Sequence, residues 1–146
     1  MTGEYTIAVH ALVYLNHKGI TVSSEVLAAN ICTNPARVRK VMAKLKKGGL
    51  VTTREGSEGG YRMARAPGEV SLCQIAQAVE MPFVACNWHS GGDDLNCQVA
   101  SGMADVMDTI CDDLNALCMR RLEQITIADI DGKLFHGRPL LQESEK

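Results

Sequence analysis

A chain of 146 residues, 46 % hydrophobic and 22 % charged, can bury one core with an appended element, and this composition excludes a disordered or low-complexity polymer. Glu4 and His10 interrupt the N-terminal apolar run and no segment approaches bilayer length, so neither a secretory leader nor contact with a membrane is expected and the chain should be cytoplasmic. The net charge of −2 conceals a partition: residues 1–66 carry five Lys and five Arg against four Glu, a net of +6, while residues 67–146 carry five basic and thirteen acidic groups, a net of −8.

Taken in chain order, Glu4 to Asn16 reads as a mostly apolar helix through Ile7, Val9, Ala11, Leu12, Val13 and Leu15, stopped near Lys18-Gly19. Ser23 or Ser24 can cap a short helix from Glu25 to Asn30, after which Ile31-Cys32-Thr33 turns into a basic helix. That helix starts sharply, with Asn34 as N-cap and Pro35 at the first position, where a missing N–H costs nothing. Val38, Val41, Met42 and Leu45 form its core stripe, which leaves Arg37, Arg39, Lys40, Lys44 and Lys47 mostly on the outside. Such a face suits phosphates and base edges.

A hairpin follows, with strands Leu50 to Thr53 and Tyr61 to Ala64 and a glycine-rich tip containing Ser57, Gly59 and Gly60. Gly59 and Gly60 are expected to permit positive φ and close approach to a phosphate or minor groove, flanked by Arg54 and Arg62. Helix, short helix, turn, basic helix and basic hairpin together make the winged helix-turn-helix pattern, and a local cluster of cations is the electrostatic footprint of a DNA reader. Ser71 caps a further helix from Leu72 to Val79. Met81 to Asn96, with Pro82, Gly91 and Gly92, reads as a loop.

Val99, Met103, Val106, Met107, Ile110, Leu114, Leu117 and Ile125 then predict a helix of about 27 residues, ~40 Å long. This overruns a compact domain, so its apolar stripe calls for a partner, most economically a second copy of the chain. Thr126 to Asp131 is expected to add one short turn, and Gln142 to Lys146 to be loose. The expected fold is therefore mainly α with a small β-wing. Its units are a winged helix-turn-helix DNA-binding domain over 1–80, a sensing or linker loop over 81–97, a long C-terminal dimerisation helix with a short terminal helix over 98–131, and a flexible tail over 132–146.

The order of these elements and several specific words resemble the Rrf2 family of bacterial regulators, which includes IscR, NsrR and CymR. The resemblance rests on Ile7-Ala8-Val9-His10-Ala11-Leu12, Ser24 to Ala28, the basic helix through Leu50-Val51, Glu58-Gly59-Gly60-Tyr61, Val70-Ser71-Leu72 with Ile75 and Ala78-Val79, Asn96-Cys97-Gln98-Val99, and Thr126-Ile127-Ala128-Asp129-Ile130. It implies a homodimer on an inverted-repeat operator in double-stranded DNA, with recognition helices in successive major grooves and wings, Tyr61 included, in minor grooves. Such a regulator is expected to act as a repressor.

The signal must come from elsewhere in the chain. In a cytosolic protein the six cysteines are core thiols, metal ligands or redox sensors rather than a disulfide scaffold. Cluster-holding family members group three cysteines between the loop and the start of the long helix. Here Cys111 lies about four turns into that helix, out of reach of one cluster with Cys86 and Cys97 unless the helix unwinds, so no cofactor is expected. Cys73, Cys111 and Cys118 are expected to be packed thiols. Cys32, just ahead of the positive end of the basic helix, is expected to be a reactive thiolate. The family's dimer geometry implies that Cys97 of one chain approaches Cys32 of the other, so an oxidant could join them.

Two alternatives stay open: an iron–sulfur or metal site on Cys86, His89 and Cys97, and a small-molecule effector pocket around Phe83, Trp88 and His89 beside Asp93-Asp94. His10, His17, His89 and His136 fall in no catalytic motif and there is no glycine-rich nucleotide loop, so no enzyme is expected.

Overall fold

The computed structural model describes residues 1–140. Three helices come first: α1 (Gly3–Lys18), α2 (Ser24–Ile31) and α3 (Pro35–Lys47). α1 stops at Gly19, whose φ of 64° is left-handed and whose N–H bonds back to the Leu15 carbonyl. Ser23 caps α2 by accepting from the Val26 N–H, and Asn34 caps α3 by accepting from Arg37 N at 2.8 Å. The α3 stripe behaves as its spacing requires: Val38, Val41, Met42 and Leu45 are all fully buried. Each such side chain contributes about 1.5–3 kcal/mol over an exposed one, so the register of α3 in the core is strongly fixed.

The wing is β1 (Val51–Arg54) paired antiparallel with β2 (Gly60–Met63), Thr53 opposite Tyr61 and Arg54 opposite Gly60. A two-stranded ribbon is marginal alone. Here it is sewn to the helices, because Tyr61 N donates to Val22 O at 2.8 Å and Val22 N donates to Tyr61 O at 2.9 Å. A 3-10 turn, Pro67–Glu69, then leads to α4 (Leu72–Ala78), which opens with a full capping box between Ser71 and Gln74.

The long helix α5 (Gln98–Glu123) has 26 residues, of which only Cys111 is buried. Its C-terminal turns pack Met119 and Leu122 against the core. Val99, Val106, Met107, Ile110, Leu114 and Leu117 form an apolar stripe open to solvent, Val99 being 65 % and Ile110 46 % exposed.

The terminal region departs from expectation. In place of one short turn ending at Asp131, α6 (Ile127–His136) runs ten residues past a Thr126–Asp129 capping box to a left-handed Gly137, and so crosses the boundary expected at 132. Long-range contacts explain the extension. Leu72 N donates to Ile125 O at 2.8 Å, Ile127 N donates to Val70 O at 3.0 Å, and Phe135 stacks on His17 with ring centroids 4.3 Å apart. α6 is thus part of the N-terminal core. The tail expected to be loose, Gln142 to Lys146, lies outside the described residues.

Candidate nucleic-acid interface and thiol sites

The basic face of α3 is present, but its cations differ in freedom. Glu4, in the first turn of α1, holds two of them: Lys44 Nζ lies 2.6 Å from Glu4 Oε2 and Lys40 Nζ 2.9 Å from Oε1. These two ammonium groups hold the Glu4 carboxyl well below the usual carboxylate range, at about 2. Arg39 reaches across to α2, donating to Ser24 Oγ at 3.2 Å and meeting Glu25 Oε1 at 3.5 Å. Arg37, Lys46, Lys47 and Arg54 make no ion pair among the described residues and are exposed. Asn34 is committed to its cap, so it aims the helix and its Oδ1 is not free to read a base.

In the wing, Arg54, Ser57 and Arg62 are exposed, Arg62 also bonding the Gly19 carbonyl at 3.4 Å. The glycines depart in part from the expectation. Positive φ occurs at Gly56, at 106°, and as expected at Gly60, while Gly59 is not left-handed and is instead crowded by the carbonyls of Arg54 and Gly56. Gly60 has φ 150°, but the backbone it approaches is the chain's own: a Cβ there would run into the Val22 carbonyl. Tyr61 is half-buried against the core, and burial raises its phenol pKa. Gly60 and Tyr61 therefore seat the wing, and of the wing contacts expected from sequence those left facing outward are Arg54, Ser57 and Arg62, beside the equally exposed Glu55 and Glu58. A glycine repeat in the sequence cannot distinguish approach to a ligand from approach to another strand of the same chain.

The cysteines fall into three settings. Cys97 is the exposed N-cap residue of α5. Its sulfur closes no capping bond of standard geometry, yet the N–H groups of Ala100 and Val99 at the open helix start favour its thiolate and lower its pKa. Cys32 is exposed in a left-handed conformation, φ 62°, at the C-terminal end of α2. Its Sγ lies 3.8 Å from the Ala29 carbonyl oxygen, so its neighbour is the negative end of α2 rather than the N–H groups of α3. The thiol beside open helix amides is Cys97, whereas Cys32, expected from sequence to sit at such a place, lies beside a carbonyl.

The third setting was not legible in the spacing: Cys86 Sγ and Cys111 Sγ, 25 residues apart in the chain, are 3.4 Å from each other. Nearby, His89 Nε2 pairs with Asp108 Oδ1 at 2.8 Å. The metal alternative needs Cys86, His89 and Cys97 gathered, whereas the chain gives Cys86 to Cys111, His89 to Asp108, and leaves Cys97 exposed. Among the described residues no group of three His, Cys, Asp or Glu stands close enough to hold a metal ion. The effector-pocket alternative fares no better. Phe83 packs edge-on against Tyr5 at 5.1 Å while Trp88 is 79 % exposed, so the two aromatics do not converge. The large apolar groove, about 790 Å³, lies elsewhere, between α1 and α6, lined by Val9, Val13, Tyr14, Leu134 and Phe135 among others.

With this geometry in view, the sequence model of the Rrf2 family, described as an iron-dependent transcriptional regulator, matches residues 1–132. The chain belongs to the Rrf2 family. It is 26 % identical to a Bacillus subtilis protein named as an HTH-type transcriptional regulator, YwnA, over 92 % of this chain and 99 % of that one. Its fold matches that of a Lactobacillus plantarum transcriptional regulator with a TM-score of 0.81 at 23 % identity, covering 93 % and 92 % of the two chains. It also matches T. potens IscR with a TM-score of 0.69 at 19 % identity, covering 97 % and 93 %. This Rrf2 protein is thus a transcriptional regulator of the winged helix type. Iron in the family's description finds no fitting ligand set among its described cysteines and histidines. No helix of the described chain is long and apolar enough to cross a membrane.

Proposed function

We propose that this Rrf2 protein works in the cytoplasm as a homodimeric, sequence-specific repressor that places α3 of each subunit in a major groove and Arg54, Ser57 and Arg62 of each wing on the adjoining backbone. The observation that carries this reading is the pairing of an exposed basic face on α3 with an unpartnered apolar stripe on α5. The first supplies counterion-releasing contacts to phosphates. The second, running from Val99 to Leu117, is too long and too apolar to stay in water and is satisfied at once by an identical stripe. Two reading heads related by a two-fold axis fit an inverted repeat. A dimer sitting across a promoter blocks access to it.

Operator affinity is read as oxidant-responsive through Cys97 and Cys32 of the partner subunit. The Cys97 thiolate attacks an oxygen of hydrogen peroxide, forming a sulfenic acid and releasing hydroxide; the second thiol then displaces the sulfenic hydroxyl to give a disulfide and water. The decisive test joins a DNA-binding assay to a non-reducing gel after peroxide treatment. The expected result is a covalent dimer with changed operator affinity, both reversed by reductant and both lost in Cys32→Ser. A protein that binds its operator, never crosslinks and responds equally well as Cys32→Ser refutes the thiol pairing, while a protein that sediments as a monomer and shows no salt-dependent DNA binding refutes the reading as a whole.

A further inference from the structure

The loop 81–97 is laid back along one side of α5, and four contacts fix it there. Asn115 Oδ1 accepts from Phe83 N at 2.9 Å and from Val84 N at 2.8 Å, and Asn115 Nδ2 donates to the Val84 carbonyl. Cys86 meets Cys111, and His89 meets Asp108. Gly92 N donates to Ala100 O at 2.9 Å, beside Gly91, where a Cβ would collide with the Ala100 carbonyl. The helix positions used, Ala100, Asp108, Cys111 and Asn115, step by three, four and eight residues, so they share a face. That face is separate from the exposed stripe through Val99, Val106, Ile110 and Leu117.

Three of these contacts are polar bonds that can open and close with the loop. The fourth joins two free thiols, 3.4 Å apart and held in place by the bonds on either side, Asn115 below and His89–Asp108 above. A disulfide needs S–S near 2.05 Å, so the two sulfurs, already in contact at 3.4 Å, have only a short distance left to close. We propose that Cys86 and Cys111 form a reversible dithiol–disulfide centre within one chain, which in its oxidised form fastens loop 81–97 to α5. It is distinct from the thiol pairing between subunits and rests on this chain's own geometry, so it stands or falls separately from the regulatory reading.

The class of oxidant follows from the setting. The hydrogen bond with the Cys111 thiol, then partial burial and the nearby Asp108, raise the Cys86 pKa and favour its protonated form. Peroxides need a thiolate and are slow here; hypochlorous acid is a strong enough electrophile. The Cys86 sulfur takes chlorine from hypochlorous acid to give a sulfenyl chloride, and its proton leaves with the oxygen as water. The Cys111 sulfur then attacks that sulfur, the S–Cl bond breaks, and chloride and a proton depart. Two thiols lose two electrons and chlorine gains them, and a dithiol reductant reverses the state by exchange.

Cutting after Lys and Arg and before Asp puts Cys86 together with Cys73 in fragment 66–92, Cys97 in 94–104, Cys111 in 108–111 and Cys118 in 113–120, and fragment ions between residues 73 and 86 tell the two cysteines of 66–92 apart. Protein carrying Cys97→Ser, which removes the more reactive exposed thiolate and any link between subunits through it, is treated with one equivalent of hypochlorous acid, alkylated, digested without reductant and analysed by tandem mass spectrometry. The expected product is 108–111 joined through Cys86 to 66–92, in protein that runs as an uncrosslinked chain on a non-reducing gel. The link is lost in Cys86→Ser, a variant at a partly exposed position that leaves the core untouched, and disappears on reduction. Recovery of Cys86 and Cys111 both alkylated, or of 108–111 joined to any other cysteine, overturns the proposal.

Discussion

Glu4 and Lys44 are separated by 2.6 Å, closer than any other ion pair among the described residues, and they couple the first turn of α1 to the basic side of α3. The same carboxylate takes Lys40, so one acidic residue restrains two cations on the face proposed to meet phosphates. Glu4→Gln is expected to release both, raising affinity for all DNA sequences and steepening the salt dependence by up to ~0.9 per freed cation. Titrations at several salt concentrations check this; an unchanged slope means that Lys40 and Lys44 do not reach DNA.

The same cluster sets a pH dependence. Because the folded-state pKa of Glu4 is depressed to about 2 from an ordinary value of 4.5, its contribution to stability is present in full above about 4.5 and is lost as pH falls towards 2. The two lysines are partly solvated, so the contribution is about 1 kcal/mol or less. Denaturant unfolding of wild type and Glu4→Gln at neutral pH and near pH 3 should show the gap between them shrinking in acid.

On α3, Lys47→Ala is expected to weaken binding to every sequence alike and to reduce the salt slope by about one. Arg37→Ala is expected to cost ~1–3 kcal/mol with specificity relaxed at one base position. Arg39→Ala should show a mixed result, some loss of affinity together with some loss of stability, since its guanidinium also ties α3 to Ser24 and Glu25. Competition assays with single-base operator variants separate these three behaviours.

Gly60→Val places a β-branched side chain at φ 150° against the Val22 backbone. The expected outcome is a displaced wing and lost operator affinity in a protein that still dimerises, because α5 is remote from β2. Retained affinity would mean that the Val22–Tyr61 bridge is dispensable. By contrast, Ile110→Glu puts a charge into the α5 stripe and should weaken self-association by about 2 kcal/mol or more, roughly 30-fold, in sedimentation measurements.

Thiol reactivity should follow local electrostatics. Alkylation near neutral pH is expected fastest at exposed Cys97, whose pKa is lowered, and slowest at Cys73, which burial and the nearby Glu123 carboxylate push up. Timed labelling with peptide mapping reports the order directly, and Cys73 labelling ahead of Cys97 would contradict it.

The parts of this fold that a reader of the sequence recovers are those written in local signals. Asn34-Pro35 fixes the start of α3, the three-and-four spacing of Val38, Val41, Met42 and Leu45 fixes its buried side, and Ser71 fixes the start of α4. What the sequence hides is set by contacts between distant segments. Nothing beside Asp131 announces that α6 continues, because the reason lies in His17 and the Val70–Leu72 backbone. Nothing near Glu4 foretells its partners forty residues on. The Cys86–Cys111 approach depends on Asn115, a polar residue among apolar neighbours; its position one turn beyond Cys111 was the available clue.

α5 enters the core at its root, where Met119, Leu122 and Ile125 pack and the strand-like Ser71–Thr126 bridge closes behind it, and beyond the root it is held by its own loop 81–97. The rest projects as a cantilever, with the loop and Cys97 near its free end. For a beam of 26 residues, ~39 Å long, a tilt of about 5° at the root moves the far end by ~3 Å, comparable to the rise of one base pair. When the free ends are fixed to each other in a dimer, the displacement appears instead at the reading heads. A chemical change too small to refold anything can therefore slip the two heads out of step with the turns of the double helix.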